Sequence, residues 1–204
     1  MPSNDSRIEL WLIRHGETAW SLSGAHTGRT DLPLTAAGER EAEDIGRSLA
    51  GRRFALVLTS PLARARETCR LAGYGQAAQI DPNLREWDYG AYEGRTSAEI
   101  RKQAPDWTIW TSPVPQGETI QQVAARAQQV IERAIAAAAA HADAPAHIAL
   151  FAHGHLLRVL TACWLGLPPE AGRLFALSTA SLSILGHEHE NRVITQWNYV
   201  CRGY

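Results

Sequence analysis

Cysteine, net charge and long apolar runs are all scarce in this chain. Of 204 residues only 3 are cysteine, Cys69, Cys163 and Cys201, an odd number at wide spacing. That pattern argues against a disulfide framework and is typical of free thiols in a reducing compartment. The 20 Lys and Arg residues nearly balance the 21 Asp and Glu residues, for a formal net charge of −1. This balance argues against nucleic acid or membrane as a partner, but it does not exclude a local cluster of arginines.

The lack of long apolar runs bears on where the protein is located in the cell. The first apolar stretch, Ile8–Ile13, contains Glu9 and is too short for a signal peptide or a membrane span. No later run approaches the roughly 18 apolar residues that a span requires. We therefore expect a cytoplasmic protein. The length of 204 residues fits one large domain, so we also expect residues 1–204 to form a single domain. The sequence leaves the oligomeric state open, a homodimer included.

Short apolar runs alternate with helical stripes along the chain. Strands are predicted at residues 8–13, 54–58, 79–80 and 148–151, with a hairpin formed by 181–185 and 193–197. Helices are predicted at 35–49, 61–71, 97–102 and 156–165, and the longest one follows a capping box at Thr119. This alternation predicts a three-layer α/β/α fold with a mostly parallel central sheet. The segment 87–117 is irregular, aromatic-rich and lid-like.

Two of the predicted strands end directly in a histidine followed by glycine. Arg14, His15 and Gly16 follow the first strand, and His153 and Gly154 follow the strand at 148–151. In parallel sheets ligands bind beyond the carboxyl ends of the strands, so we expect the two histidines to meet at that edge. Gly154 also opens a predicted helix, whose free N–H groups favour an anion.

Arginines accompany these histidines. Arg14 precedes the first of them, and Arg64 lies in the first turn of the helix after Ser60 and Pro61, near the same edge. Arg66, two residues further along that helix, is expected to face elsewhere. The guanidinium group is a planar fork of donors that matches phosphate oxygens. A site built from these arginines and histidines therefore suits a phosphate dianion.

A metal site is the alternative use of closely spaced histidines. The segments His153–His155 and His187–His189 each hold two histidines, but neither has cysteine or carboxylate companions at the spacing of a zinc site. We therefore expect no metal.

An ordered set of motifs resembles the histidine phosphatase superfamily, the phosphoglycerate mutase-like proteins. The motifs are Leu12–Thr18, Gly28–Thr35, Ser60–Ala65, Leu84–Gly94, Gly117–Thr119 and Phe151–His155. They recur in family order over nearly the whole chain, which makes the set specific where a single Arg-His-Gly would not be. The resemblance implies a phosphoglycerate mutase-like fold, a small phosphorylated substrate, no cofactor and hydrolysis through a phosphohistidine.

The resemblance also implies residue roles. His15 matches the nucleophile, with its other ring nitrogen held by a backbone carbonyl, and Glu86 matches the proton donor to the leaving group. Further positions are expected to bind phosphate or substrate: Arg14, Ser21, Thr27, Gly28, Arg64, Tyr89, His153 and Gly154. Tyr89 is included because it lies close to Glu86. For Trp107 and Trp110, packing onto the core is favoured over a place in the wall of the substrate mouth.

Departures from the family pattern bear on the subtype. Ser21 replaces a usual Asn and Thr27 a common Gln, so the polar rim of the pocket is altered. The block around Glu86 is similar to sugar-bisphosphate phosphatases and broad acid phosphatases. Only 30 residues separate Glu86 from Gly117, fewer than in the mutases, which favours hydrolysis. A cofactor-dependent phosphoglycerate mutase, a phosphohistidine-protein phosphatase and a non-catalytic phosphate-binding module are the alternatives.

Overall fold

A six-stranded sheet with the order β3-β2-β4-β1-β5-β6 forms the centre of the computed structural model, which describes residues 8–140 and 146–200. Its strands are β1 Ile8–Arg14, β2 Leu56–Thr59, β3 Ala78–Ile80, β4 Ala146–Ala152, β5 Ser181–Glu188 and β6 Asn191–Val200. Strands β3, β2, β4 and β1 are mutually parallel, whereas β5 runs antiparallel to β1 and β6 antiparallel to β5. The sheet is therefore mostly parallel, as predicted.

Helices cover both faces of this sheet. They are α1 Ala19–Ser23, α2 Ala36–Leu49, α3 Ala63–Leu71, α4 Ser97–Arg101, α5 Ile120–Ala139 and α6 Gly154–Trp164. Because side chains alternate along a strand, Leu10 and Leu12 of β1 pack into the core formed with α5 and α6. Trp11 and Ile13 pack into a second core with α2 and α3. The three-layer prediction is confirmed.

Several boundaries differ from the sequence prediction. Helix α3 begins at Ala63 instead of Pro61, because the Ser60 hydroxyl accepts the Leu62 N–H at 3.3 Å and makes a turn first. Helix α6 begins at Gly154, two residues early. Helix α1 was not predicted, since its capping box has serine at the third helical position where Glu or Gln is usual.

Two further sequence predictions concern cysteine and the membrane. Cys69 and Cys163 are free thiols in the structure, and Cys201 lies outside the described residues. Of the helices within residues 8–140 and 146–200, none combines the length and the apolar character needed to cross a bilayer.

The turn after β1 is held by contact between two glycines. A Cβ on Gly16 would lie 2.3 Å from the Gly38 carbonyl oxygen, and one on Gly38 would lie 2.2 Å from that of Glu17. Thr35, the N-cap of α2, accepts the Gly38 N–H at 3.0 Å and donates to the Glu17 carboxylate at 2.7 Å. The start of α2 thereby fixes the backbone that follows the first histidine.

Gly38→Ala should lower the free energy of unfolding by about 1–3 kcal/mol, because the methyl group overlaps a backbone carbonyl. Alanine has the better helix propensity by about 1 kcal/mol, so a net loss means that the steric conflict dominates. Urea denaturation measures the change. Ser48→Ala, on the exposed side of the same helix, is the control and should change stability by less than about 0.5 kcal/mol. A stabilised Gly38→Ala variant would contradict the close packing.

Candidate active site

The ends of β1 and β4 bring the two histidines together, as the sequence predicts. Arg14 lies opposite Ala152 in the parallel register, and the His15 N–H donates to the Ala152 carbonyl at 3.0 Å. The ring centroids of His15 and His153 are 5.1 Å apart. A cavity of about 320 Å³ opens beside His15 at this edge of the sheet.

His15 is held as a neutral base with one nitrogen free. Its Nδ1–H donates to the Gly16 carbonyl at 2.7 Å, which leaves the lone pair on Nε2. The same peptide segment is anchored by the Gly16 N–H, which donates to the Thr68 hydroxyl at 3.0 Å. Burial, together with the charges of Arg14 and Arg64, lowers the pKa of His15 well below 6.5. The ring therefore stays unprotonated in neutral and mildly acidic solution.

Arg14 lies beside His15 with part of its donor fork unused. One of its terminal nitrogens donates to the Leu177 carbonyl. Its Nε is buried, and no residue in the described ranges accepts its hydrogen. A Cβ on Gly154 would lie 3.3 Å from this guanidinium, so glycine at the start of α6 leaves space for it. A buried donor without a partner is what an anionic ligand would satisfy.

Arg64 is wholly buried and uses most of its donors inside the protein. Its Nε donates to His153 Nδ1 at 3.2 Å. Its terminal nitrogens donate to the carbonyls of Thr30, Thr27 and Gly28 at 3.0, 3.0 and 3.1 Å. A guanidinium has five N–H donors, so one remains on Nη1. Arg66, in contrast, is exposed, as expected.

Glu93 clamps the same loop from the opposite side. Its Oε1 accepts the N–H groups of Gly28 and Thr30 at 2.8 and 3.0 Å. A Cβ on Gly28 would lie 2.5 Å from the Trp87 carbonyl, so only glycine fits there. Gly28 thus serves a close backbone approach and does not line the cavity. Glu93 was not among the site residues predicted from the sequence, although it lies in one of the family-like motifs.

His153 is also wholly buried behind His15. Because its Nδ1 accepts from Arg64, its Nε2 carries the proton and donates to the Ser60 hydroxyl at 2.7 Å. Burial, then Arg64 and His15, lower its pKa well below 6.5. Neither His153 nor Arg64 lines the cavity, so their direct contact with phosphate stays a prediction.

Glu86 lies in the cavity with its carboxylate at the N-terminus of α6. Oε1 accepts the N–H groups of Trp87 and Leu156, both at 2.9 Å, and Oε2 accepts that of His155 at 3.0 Å. A carboxylate offers about four lone-pair positions. Three are occupied, and the position that remains for a proton is on Oε2.

Ser21, Thr27 and Tyr89 all line the cavity. The Ser21 hydroxyl is committed to capping α1, since it accepts the Thr18 N–H at 2.8 Å and donates to the Thr18 carbonyl at 3.0 Å. The Thr27 hydroxyl donates to the Ala25 carbonyl at 3.1 Å. Burial, followed by the charge of Glu86, raises the pKa of Tyr89 well above 10, so its phenol stays protonated.

Several residues that line the cavity were not among the functional residues predicted from the sequence. They are His26, Arg101, Trp110, His155 and Arg158. Trp107 packs into the core with 4% of its surface exposed, as expected. Trp110 packs against the core and also lines the cavity. Arg158 could have been found, because it lies one helical turn after Gly154 and therefore on the same face of α6.

No cluster of three or more metal-binding side chains of the His, Cys, Asp or Glu type occurs within the described part of the chain. The site combines a neutral histidine with a free Nε2, arginine donors and the carboxyl group of a glutamate, all near the ends of parallel strands. Such an arrangement is suited to accepting a phosphoryl group on histidine.

Comparison with known proteins agrees with this chemistry. Residues 10–200 match the model of the histidine phosphatase superfamily (branch 1), and the chain belongs to that superfamily. It is 41% identical over 182 residues to an acid phosphatase of Mycobacterium tuberculosis, covering 88% of this chain and 87% of that protein. It is 39% identical over 193 residues to sedoheptulose 1,7-bisphosphatase of Saccharomyces cerevisiae, covering 82% and 70%.

The fold comparison gives the same result. The structure of a mycobacterial glucosyl-3-phosphoglycerate phosphatase has a TM-score of 0.83 and 28% identity, covering 93% of this chain and 98% of that one. These relatives are phosphatases, a class of hydrolases. The family inferred from the ordered motifs is confirmed.

Mild acid should lower the free energy of unfolding. Burial is the largest cause that lowers the pKa of four histidines, His15, His26, His153 and His155, below 6.5. The unfolded chain then binds more protons, so stability is full above about pH 6.5 and is lost as the pH falls towards the folded-state pKa values. Each histidine contributes at most about 1.4 kcal/mol per pH unit.

Urea denaturation between pH 7.5 and 5.0 measures this loss. His26→Gln should make the dependence shallower, because it removes one of the four groups. A free energy of unfolding that is constant over this range would show that the histidines are not held neutral.

Proposed function

We propose that this chain hydrolyses small phosphate monoesters through a phosphohistidine formed on His15. The observation that carries the proposal is the state of this ring: buried, neutral, and bound through Nδ1–H to the Gly16 carbonyl. Only Nε2 is left to react. Arg14 and Glu86 line the same cavity and supply a phosphate-binding fork and a proton donor.

In the first step, the Nε2 lone pair of His15 attacks phosphorus in line with the ester oxygen. The P–O bond breaks as the N–P bond forms, and the proton on Glu86 passes to the departing alkoxide. Arg14 stabilises the charge that spreads over the phosphoryl oxygens. The remaining Arg64 N–H is proposed to join it on a small movement, with His153 behind.

In the second step, water attacks the phosphohistidine and transfers a proton to Glu86. The N–P bond breaks, inorganic phosphate leaves, and both residues return to their starting states. The three backbone N–H groups that donate to Glu86 hold its carboxyl group in place for both steps.

The cavity favours a small substrate. Ligand pockets span roughly 300–1,000 Å³, and this one, about 320 Å³, lies at the lower end. Thr108, Ile109 and Trp110 of the irregular segment form one of its walls, which disfavours a protein substrate. The named activities of the relatives support sugar phosphates as the substrate class. Retention of both His15 and Glu86 in one cavity disfavours a non-catalytic module.

A cofactor-dependent phosphoglycerate mutase remains the second candidate. Relatives named probable phosphoglycerate mutase are 27–30% identical to this chain. The short connection from Glu86 to Gly117 supports transfer of the phosphoryl group to water instead. Independence of metals, a cytoplasmic location and the absence of nucleic-acid binding are further predictions.

Radiolabelled substrate tests the nucleophile. In a buffer with excess chelator, the native protein should release phosphate and, after rapid quenching, carry acid-labile label on His15. His15→Ala should keep the fold, as judged by circular dichroism, but lose turnover by at least about 10³-fold, because the phosphoryl acceptor is gone. Label on serine or cysteine, or activity that chelator removes and metal restores, would overturn the mechanism. Label passing to a phosphoglycerate rather than to water would favour the mutase.

Glu86→Gln tests the proton donor. An alkoxide is a poor leaving group without a proton, whereas nitrophenolate is stable unaided. Single-turnover rates should therefore fall by roughly 10²–10⁴-fold for a sugar phosphate and much less for p-nitrophenyl phosphate. Glu93→Gln is a comparison variant outside the cavity and should not discriminate between the two leaving groups. Equal losses in Glu86→Gln would assign Glu86 to binding only.

A further inference from the structure

We infer that the outer part of the cavity is a second anion subsite built around Arg158, so that the preferred substrates are small phosphate monoesters carrying a second anionic group. The inference rests on the proposed function for the position of the reacting phosphate.

Arg158 is a half-buried cation that forms no ion pair with a carboxylate of the described residues, although Glu86 lies near enough to act on its charge. Its Nε donates to the Gly172 carbonyl at 3.0 Å, and Nη2 donates to the Arg173 carbonyl at 3.3 Å. Its guanidinium carbon lies 4.5 Å from the centre of the Trp110 ring. These contacts hold the fork in place, while Nη1 has no partner in the described residues. Burial lowers the pKa of Arg158, which is a sign of a charge that a ligand would stabilise.

Arg158 lies a short distance from the place proposed for the reacting phosphate. It lies four residues after Gly154 in α6, which corresponds to about 6 Å along the helix axis. A Cβ on Gly154 would lie 3.3 Å from the Arg14 guanidinium, so the start of α6 lies close to Arg14 and His15. Two arginine forks therefore line one cavity, one at His15 and one a helical turn away. A carbon skeleton of a few atoms would connect anionic groups bound at both.

Two neighbours complete the subsite. Arg101 lines the same cavity and donates through Nε to the Trp107 carbonyl at 2.9 Å, and its terminal N–H groups have no partner within residues 8–140 and 146–200. His155 Nδ1 accepts the Tyr89 phenol hydrogen at 2.7 Å. Since His155 is neutral, its Nε2 carries a hydrogen for which the described residues provide no acceptor.

The charge balance of the cavity favours a phosphate monoester that carries a second anionic group. Among the described residues, its lining contains the arginines Arg14, Arg101 and Arg158 and one carboxylate, Glu86. That carboxylate is already satisfied by three backbone N–H groups. In the state that the first step requires, with the proton on Glu86, the three arginines carry three positive charges and one phosphate dianion beside His15 balances two of them. At least one outer arginine is then left without a counter-charge, which a carboxylate or a second phosphate would supply.

Matched substrate pairs test this inference. The pairs are fructose 1,6-bisphosphate with fructose 6-phosphate, for a second phosphate, and 3-phosphoglycerate with glycerol 3-phosphate, for a carboxylate. In each pair, the ratio of kcat/KM for the more charged member over the less charged one is the readout. The native protein should prefer the more charged member of at least one pair by about 10-fold or more. The pair that shows the larger ratio identifies the second group.

Arg158→Gln should lower that ratio by about 10- to 100-fold, mainly through KM, because a charged hydrogen bond is lost. Arg158→Lys should restore part of it. Arg173→Gln is the matched control: Arg173 is exposed, bonds to the Glu170 carbonyl and lies outside the cavity lining. It should leave the ratio unchanged. A native ratio near one, or an equal loss on both members in Arg158→Gln, would overturn the subsite and leave Arg158 a structural residue.

Binding measurements separate this inference from the proposed function. Calorimetry with His15→Ala protein compares fructose 1,6-bisphosphate with fructose 6-phosphate in the absence of turnover, and the additional Arg158→Gln change should remove the preference. If the native protein hydrolyses nothing but this binding preference is present, the proposed function fails and the subsite stands. If hydrolysis occurs and binding shows no preference, the subsite fails and the function stands.

Discussion

A single buried cation, Arg64, holds the parts of this site together. Arg64 belongs to α3 and donates a hydrogen bond to His153, which follows β4. It also donates to three carbonyls of the loop before α2, those of Thr30, Thr27 and Gly28. A wholly buried guanidinium is costly unless its donors are satisfied. Three separate chain segments must therefore be in place together, and Glu93 holds the loop from its other side. The geometry around His15 depends on this constraint.

The same constraint explains why the histidines are neutral. Two arginines lie close to His15 and His153, and little water reaches either ring, so protonating them would add a charge to a buried, positively charged region. Backbone and side-chain bonds then decide which nitrogen keeps its hydrogen: the Gly16 carbonyl for His15, and Ser60 with Arg64 for His153. Neutrality makes His15 a nucleophile, and the nearby positive charge attracts the phosphate that it attacks.

Catalysis and selectivity are carried by different kinds of structure. His15 and Arg14 extend from the ends of hydrogen-bonded parallel strands, where the backbone is rigid. Trp110 lies in the irregular stretch between Glu86 and α5, and Arg101 lies at the end of the short helix α4. Arg158 belongs to the second turn of α6. Loop segments tolerate substitution better than sheet edges do. A fold of this design can change its substrate without disturbing the reacting groups.

The sequence by itself determined the layered fold, the two histidines at one sheet edge and the exposure of Arg66, because strand ends and helix faces follow from local periodicity. The family motifs added His15 and Glu86 as reacting groups. Tertiary structure alone decided that Glu86 binds the N–H of Leu156, 70 residues away, and that Gly28 serves a close approach outside the cavity. It also brought Arg158 and Trp110 to the substrate side. These outcomes depend on how distant segments meet, which no local pattern of apolar and polar residues encodes.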